Sequence, residues 1–522
     1  MQHRQNPQDK HRENLTKIVR GTGVNFAGRV LGGGLNYLCT VVAAWILGAT
    51  SFGYFMLGLT IVSQVGIFSR LGLEGGAIRY ISIYIGTGDR GRAKGTVVDS
   101  IRYSIVAGTI SGAVLFAASG GFFDRLYGMD GLDTVIRYLA LTLPFLAVMA
   151  VSLASTQGFH TMKYTVYGQN LFMPAVQLSL MTLLYLAGLR LSGVIAGYLA
   201  SVVLSAGISV FFLLKTFPDI GAVKKVSEKR ELFQYSIALM PVFFFNSLIL
   251  WTDTMMLGHY RSSADVGVYS AAAKTAMFSG VILASFNSIF APMIADLYNR
   301  GEHEKLAGLF KTVTKWIFTL SLSLFFLLAL LPGEIMSIFG SDFAAGSWSL
   351  VILAAAQLIN SGTGTVGILL AMTGRQNIML YNAVGICVLN IFLNYLLIPV
   401  YGMIGAAAAS AASIVTLNIV MLLQVKILLN MQPYNRGFIR VIFIGAVAYG
   451  VVGLLEYLPL DLSGPGRIAV YTPLYLSTLA AMFYCTGLDD EDVMIINEFK
   501  QRLLRNLKWR RSNADESHSS RH

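Results

Sequence analysis

The chain has 522 residues, 55% hydrophobic and 13% charged, with a formal net charge of +12 and a mean hydropathy of +0.62. Soluble domains carry about 25% charged residues, so a soluble globular fold is excluded. The apolar residues fall in blocks of roughly 20 to 25, long enough to cross a ~30 Å hydrocarbon core as helices, and not in the short alternating segments of a β-barrel.

In chain order, residues 1–22 are a polar, basic tail with Arg4, Lys10, Arg12, Lys17 and Arg20 and no short apolar core, unlike a cleavable signal. About fourteen transmembrane spans follow, near 23–47, 52–76, 98–119, 134–157, 166–187, 191–214, 234–257, 266–294, 312–331, 346–372, 377–399, 403–428, 437–458 and 468–486. From Asp489 to Arg511, Ile496, Phe499, Leu503 and Leu507 interleave with Lys500, Arg502, Arg505, Lys508, Arg510 and Arg511. Such a segment reads as a basic amphipathic helix on an anionic inner membrane surface, or as a solvated orienting tail.

Charge supports the span count. Arg79, Arg90, Arg92 and Lys94 follow span two, and Lys215, Lys224, Lys225, Lys229 and Arg230 follow span six. Arg300, Lys305, Lys311 and Lys315 follow span eight, and Lys426, Arg436 and Arg440 surround the gap after span twelve. Loops on the other side hold only Arg125, Arg190, Arg261 and Arg467. Cations mark the cytoplasmic side, so both termini are expected there, in a cell membrane. The positive charge is thereby accounted for without nucleic acid. Cys39, Cys387 and Cys485 lie in apolar segments with no metal or redox spacing and read as small hydrophobes.

The sequence also echoes itself. Leu47-Gly48 falls on Leu257-Gly258, Asn36 on Asn246, and Gly53 on Gly267 after a small insertion. Gly121 through Gly128 (GFFDRLYG) matches Gly333 through Gly340 (GEIMSIFG). Six spans return the second copy to the same side, so the two halves are parallel repeats about an axis along the membrane normal. The expected organisation is an N-lobe with the inter-lobe loop (23–230), a C-lobe (231–430) and two added spans within 431–488.

Ionisable side chains inside spans are expensive and usually face a cavity or a partner. Arg29 lies in span one, Arg70 and Glu74 near the inner end of span two, and Asp99 and Arg102 at the start of span three. Asp253 in span seven and Lys274 in span eight lie at similar depth on antiparallel neighbours, where a salt bridge is the simplest expectation. Arg29 either snorkels toward the cytoplasmic surface or lines a cavity. Arg70, Glu74, Asp99 and Arg102 read as interfacial or gating charges. Asn36 and Asn246 suit hydrogen bonds between helices. Gly32, Gly33 and Gly34 in span one and Pro241 in span seven would weaken or bend their helices, or serve packing.

The run Asn390 to Ala407 (NIFLNYLLIPVYGMIGAA), together with Leu47-Gly48 to Gly53, Asp253 to Gly258, and Val266-Gly267-Val268-Tyr269 to Lys274, resembles the multidrug/oligosaccharidyl-lipid/polysaccharide (MOP) exporter superfamily. Within it, the similarity is to the polysaccharide-biosynthesis, O-antigen-type flippase branch, and it covers spans one to twelve. The resemblance implies an all-α polytopic fold like that of MATE transporters, with two six-helix lobes plus two C-terminal helices, and no enzymatic activity. It implies a substrate that is a lipid-linked oligosaccharide on a polyprenyl (pyro)phosphate, moved to the external leaflet, with membrane lipids and glycan-assembly proteins as partners. Coupling to H+ or Na+ and simple uniport both remain open. Arg29, Asn36, Asn246, Asp253 and Lys274 are then the candidates for the substrate path. A drug/cation antiporter of the same superfamily is disfavoured because span one offers Arg29 and no carboxylate. A membrane enzyme of glycan assembly is disfavoured because no paired-carboxylate motif or large external loop is present.

Overall fold

The computed structural model describes the backbone of residues 7–455 and 464–486, with side chains from residue 30 onward at all but a few positions. The tail helix expected beyond residue 489 and the Arg29 side chain lie outside the described residues. All regular elements described are helical. The first half holds α1 (Pro7–Arg70), α2 (Leu73–Gly86), α3 (Arg90–Ala118), α4 (Phe122–Tyr127), α5 (Leu132–Ala140), α6 (Leu143–Gly158), α7 (Lys163–Thr165), α8 (Met173–Leu186) and α9 (Leu191–Thr216). The second holds α10 (Lys229–Tyr260), α11 (Ser263–Asn299), α12 (His303–Leu330), α13 (Pro332–Ser337), α14 (Ser347–Thr363), α15 (Val366–Met372) and α16 (Gln376–Leu429). Two more, α17 (Arg436–Leu455) and α18 (Gly464–Thr486), follow.

Among the described residues, nine helices are long and apolar enough to cross a membrane, or ten if the bent pair α5 and α6 forms one span. Two of the nine are too long to be single spans. Val30–Gly86 covers 57 residues, ~86 Å if straight at 1.5 Å per residue. It is divided at Gly48 (φ 67°, ψ 172°), and α16 is divided at Gly402 (φ 57°, ψ −129°). Both breaks fall where adjoining spans were expected to meet, and glycine adopts such angles without a Cβ penalty. The fifth expected span corresponds to α8 with a π-helical lead-in, Val166–Phe172, and the fourteenth to α18.

Repeat-related segments form alike. Each of the matched octapeptides contributes to a six-residue helix, α4 in one half and α13 in the other. α1 and α11 cross at the matched glycines. A Cβ on Gly53 would overlap Ser263 O and lie 3.1 Å from Gly267 N, and a Cβ on Gly267 would overlap Ala49 O and lie 3.0 Å from Gly53 N. Two backbones can approach this closely only where both side chains are absent. The largest apolar cluster is built around this crossing, with Phe52, Leu57, Leu132, Leu257, Val266, Phe339 and Phe343 buried.

The last two helices lie against the second half. Phe438 of α17 stacks on Phe318 of α12 at 4.2 Å between ring centroids. Arg467 of α18 forms an ion pair with Glu334 of α13.

Candidate functional site

Span two does not run as one helix. α1 ends at Arg70, and Leu71 (φ 49°) and Gly72 (φ 68°) are both left-handed before α2 begins. A left-handed leucine is strained, because its Cβ crowds the following carbonyl. Gly72 has a packing reason as well, since a Cβ there would overlap Ser236 O of α10. The break re-aims Arg70 and Glu74 without separating them. Arg70 Nη1 lies 3.0 Å from Glu74 Oε1, and Arg70 Nε donates to Gly66 O at 3.0 Å. The pair bridges the last turn of α1 and the first turn of α2.

Beside this break lies a partly open cavity of about 250 Å³ between spans two and seven. Ile67, Arg70, Gly72 and Glu74 line it from one side, and Phe243, Asn246, Ser247 and Leu250 from the other. Arg70 and Glu74 keep 35% and 27% of their side-chain surface exposed, so both can meet a polar ligand. Just beyond, Gln64 Nε2 donates to Ser247 O at 3.2 Å while Gln64 Oε1 is buried without a partner.

The second concentration of polarity lies inside the C-terminal half. Asp253 is 5% exposed and accepts four hydrogen bonds. Asn394 Nδ2 donates to Oδ1 at 2.6 Å and Asn390 Nδ2 at 3.2 Å. Tyr269 Oη donates to Oδ2 at 2.8 Å, and Ser410 Oγ donates to the same oxygen. Asn390 and Asn394 reach one carboxylate because residues four apart share a helix face. Asn394 Oδ1 is buried and unpartnered. A carboxylate ringed by amide and hydroxyl oxygens offers hard ligands for a small cation, provided the amides turn their oxygens inward.

This arrangement corrects the expected salt bridge. Asp253 is satisfied by neutral donors of α11 and α16, whereas Lys274 turns to span one, where its Nζ donates to Thr40 Oγ1 at 3.3 Å. Next to it, Tyr37 Oη and Thr275 Oγ1 share a hydrogen bond of 3.2 Å between spans one and eight. Asn36 and Asn246 also differ from expectation. Each donates to the carbonyl one turn back in its own helix, Asn36 to Gly32 O at 3.2 Å and Asn246 to Val242 O at 2.9 Å. Of the two, Asn246 lines the cavity.

The remaining candidates separate from this site. α1 stays helical through Gly32, Gly33 and Gly34, its one non-helical residue being Gly48. Gly32 serves close packing, since a Cβ there would lie 2.6 Å from Asn170 O. Pro241 sits inside the continuous α10. Asp99 is buried and pairs with Lys225 of the inter-lobe segment at 2.6 Å, and Arg102 beside it is exposed. Sequence reasoning placed Asn390 and Asn394 in a family signature without giving them a role, and missed Gln64, Thr40 and Ser410. The i,i+4 asparagine pair in a membrane span was the available signal; the small hydroxyl residues offered none.

The fold and this site define an integral-membrane transporter of two helical halves with polar groups enclosed between and within them. The profile of the polysaccharide biosynthesis protein family matches residues 18–298, and that of the MatE family matches residues 238–396. The chain belongs to the polysaccharide biosynthesis protein family, within the MOP superfamily, and is a transporter and not an enzyme. It is 25% identical over 405 residues to the probable low-salt glycan biosynthesis flippase Agl15 of Haloferax volcanii, covering 76% of this chain and 81% of that one. It is 24% identical over 452 residues to the uncharacterized membrane protein MJ1068 of Methanocaldococcus jannaschii, covering 82% and 88% respectively. Among solved structures, the lipid II flippase MurJ in an inward closed conformation superposes with a TM-score of 0.70 at 13% identity, covering 90% of this chain and 99% of that one. An inward-facing multidrug resistance MATE family transporter of the MOP superfamily gives 0.62 at 14% identity, with 76% and 94% covered.

Proposed function

We propose that the chain moves a lipid-linked oligosaccharide, carried on a polyprenyl phosphate or pyrophosphate, from the cytoplasmic to the external leaflet by alternating access. The observation that carries this reading is Arg70 on the broken second span, lining a cavity whose opposite wall supplies Asn246 and Ser247. A guanidinium is suited to a phosphate anion. Amide and hydroxyl groups replace the water lost by sugar hydroxyls, whose unaided transfer through hydrocarbon is prohibitive. Lys274 and Arg29 add positive charge to the first and eighth spans. An interior-negative potential favours outward movement of an anion by ~2.3 kcal/mol per charge per 100 mV. The names of Agl15 and MurJ support the same substrate class.

The cavity of about 250 Å³ is smaller than the conformation that loads substrate must offer, because drug-sized ligands already occupy ~300–1,000 Å³. The two lobes, 23–230 and 231–430, therefore part to admit the headgroup while the lipid tail stays in the bilayer. Both termini face the cytoplasm in this reading. Asp253 and its ring of oxygens are the place for a coupling Na+ or H+. That ring also argues against a drug/cation exporter, since Asp253 is enclosed by its donors and does not line the cavity.

The test is reconstitution. Proteoliposomes holding the full chain and a fluorescent polyprenyl-pyrophosphate saccharide should expose inner-leaflet label to an external quencher faster than protein-free vesicles. In the native cell, deletion should accumulate the lipid-linked saccharide on the inner leaflet. Unchanged lipid distribution together with new drug sensitivity would overturn the proposal.

A further inference from the structure

The segment joining the two halves, between α9 and α10, is fastened along the start of α3. Lys225 Nζ lies 2.6 Å from Asp99 Oδ1, and Asp99 is 2% exposed. Lys94 Nζ donates to Val223 O at 2.8 Å, and Arg90 pairs with Asp219 at 2.7 Å. Val226 N donates to Gly91 O at 3.1 Å. The glycines let the linker backbone lie flush on the helix. A Cβ on Gly91 would be 3.0 Å from Lys224 O, and one on Gly95 would overlap Val226 O. Arg92 then holds Glu228 at 3.3 Å, one residue before α10 starts.

The inner turns of α10 continue this attachment. Leu232 is buried with Leu73 and Val151. The Phe233 ring lies 4.6 Å from Tyr103, and Arg79 stands 4.4 Å over the Tyr235 ring. Ser236 closes on Gly72 and Gly76. Further out, Asp253 is bound by Asn390, Asn394 and Ser410 of the C-terminal half. The same outer turns still touch the N-terminal half, where His259 Nδ1 lies 2.9 Å from Leu126 O, so the hold of the C-terminal half on this helix is concentrated at Asp253, with Pro241 between it and the inner attachment.

We propose that the Asp99–Lys225 pair, with the Gly91/Gly95 slot, is a latch that limits how far the inner end of span seven can swing from the N-terminal half. With Val226 pinned, only residues 227–229 are slack, a reach of ~10 Å when extended. Without the pin, the slack runs back to Val223, where Lys94 next holds the linker. Lys225 is what keeps the buried Asp99 charge paired, so the anchor holds through the cycle unless the slot itself is breached. The latch concerns the movement of the lobes and is independent of the substrate.

Pulsed EPR on the full chain in lipid tests this without substrate. Spin labels go on Thr87→Cys and Glu304→Cys, both exposed positions in opposite halves, with Cys39, Cys387 and Cys485 replaced by serine. Asp99→Asn and Lys225→Met should each lengthen and broaden the distance distribution, on the order of 5 Å at its mean. The double exchange Asp99→Lys with Lys225→Asp should return it toward the original. Inserting Gly-Ser-Gly after Ser227 leaves the latch intact and should lengthen the distance by adding slack, which decides the matter if Asp99→Asn does not fold. Unchanged distances in the single variants and in the insertion variant overturn the latch. Transport assays are not involved, so this failure and a failure of the flippase reading are separate results.

Discussion

Gly53 and Gly267 occupy matched positions in the two halves and lie side by side, a Cβ on the first falling 3.1 Å from Gly267 N and one on the second 3.0 Å from Gly53 N. Contact between equivalent residues places the pseudo-two-fold axis at this crossing. Gly53→Ala and Gly267→Ala should therefore each destabilise the protein, by about 1–3 kcal/mol as overpacked sites do, read as a lowered Tm in detergent. Gly207→Ala is the control. Nothing lies within 4 Å of a Cβ there, and alanine favours a helix by ~1 kcal/mol over glycine, so its Tm should hold or rise.

Removing the Asp253 carboxylate takes an acceptor from four donors, of which Asn394 Nδ2 keeps Asn390 Oδ1 at 3.1 Å. Asp253→Ala should cost about 1.5–3 kcal/mol, the range for hydrogen bonds to a carboxylate, and more than Ser410→Ala, which removes one donor of four. If the site takes Na+, replacing K+ by Na+ should raise the wild-type Tm, with each tenfold excess over Kd adding about 1.4 kcal/mol, and Asp253→Asn should abolish the difference. A proton-coupled transporter would show no such ion preference.

The reach of sequence reasoning differed between these features. The repeat set Gly53 against Gly267 in the sequence without saying that the two would meet; a glycine retained in both copies of an apolar segment was the available signal of close backbone approach. The breaks at Gly48 and Gly402 coincided with span boundaries set by block length. The Asp253–Lys274 pairing failed because depth along two helices was known and azimuth was not. Rotation about the helix axis turns Lys274 to Thr40 and Asp253 to Asn394. The break at Leu71–Gly72 was hidden because leucine carries no signal for a left-handed residue. Tertiary packing of Gly72 on Ser236 imposes it.

That break gives a sharp comparison. Gly72→Ala meets both a positive φ and the Ser236 carbonyl, and should lose about 2 kcal/mol or more, since strain and overlap act together. Gly34→Ala meets neither and should be near neutral. Thermal unfolding of the two variants side by side checks it.

Arg70 and Glu74 should separate in function although they form one pair. Arg70→Ala removes the guanidinium from the cavity wall and should weaken apparent affinity for a pyrophosphate-linked saccharide about ten- to a hundredfold, about 1.4–2.8 kcal/mol. Glu74→Gln frees Arg70 from its partner and should leave affinity unchanged or tighten it. Concentration dependence of flipping in proteoliposomes distinguishes them; equal losses in both variants would mean that the pair acts only as a structural bridge across the break.

Lys274 provides the opposite test, in which stability and function should move in different directions. Its ammonium is partly buried between spans one and eight, with Thr40 Oγ1 at 3.3 Å and no carboxylate within ion-pair distance among the described residues. Holding a charge in such surroundings costs folding free energy, and a protein retains the cost where function needs the charge. Lys274→Met keeps the length and removes the charge, so it should raise the Tm, by about 0.5–2 kcal/mol in stability, while slowing the flipping of an anionic lipid-linked saccharide. Lys274→Arg should restore flipping without the gain in stability. A methionine variant that is less stable yet fully active would assign Lys274 to packing alone and remove it from the path.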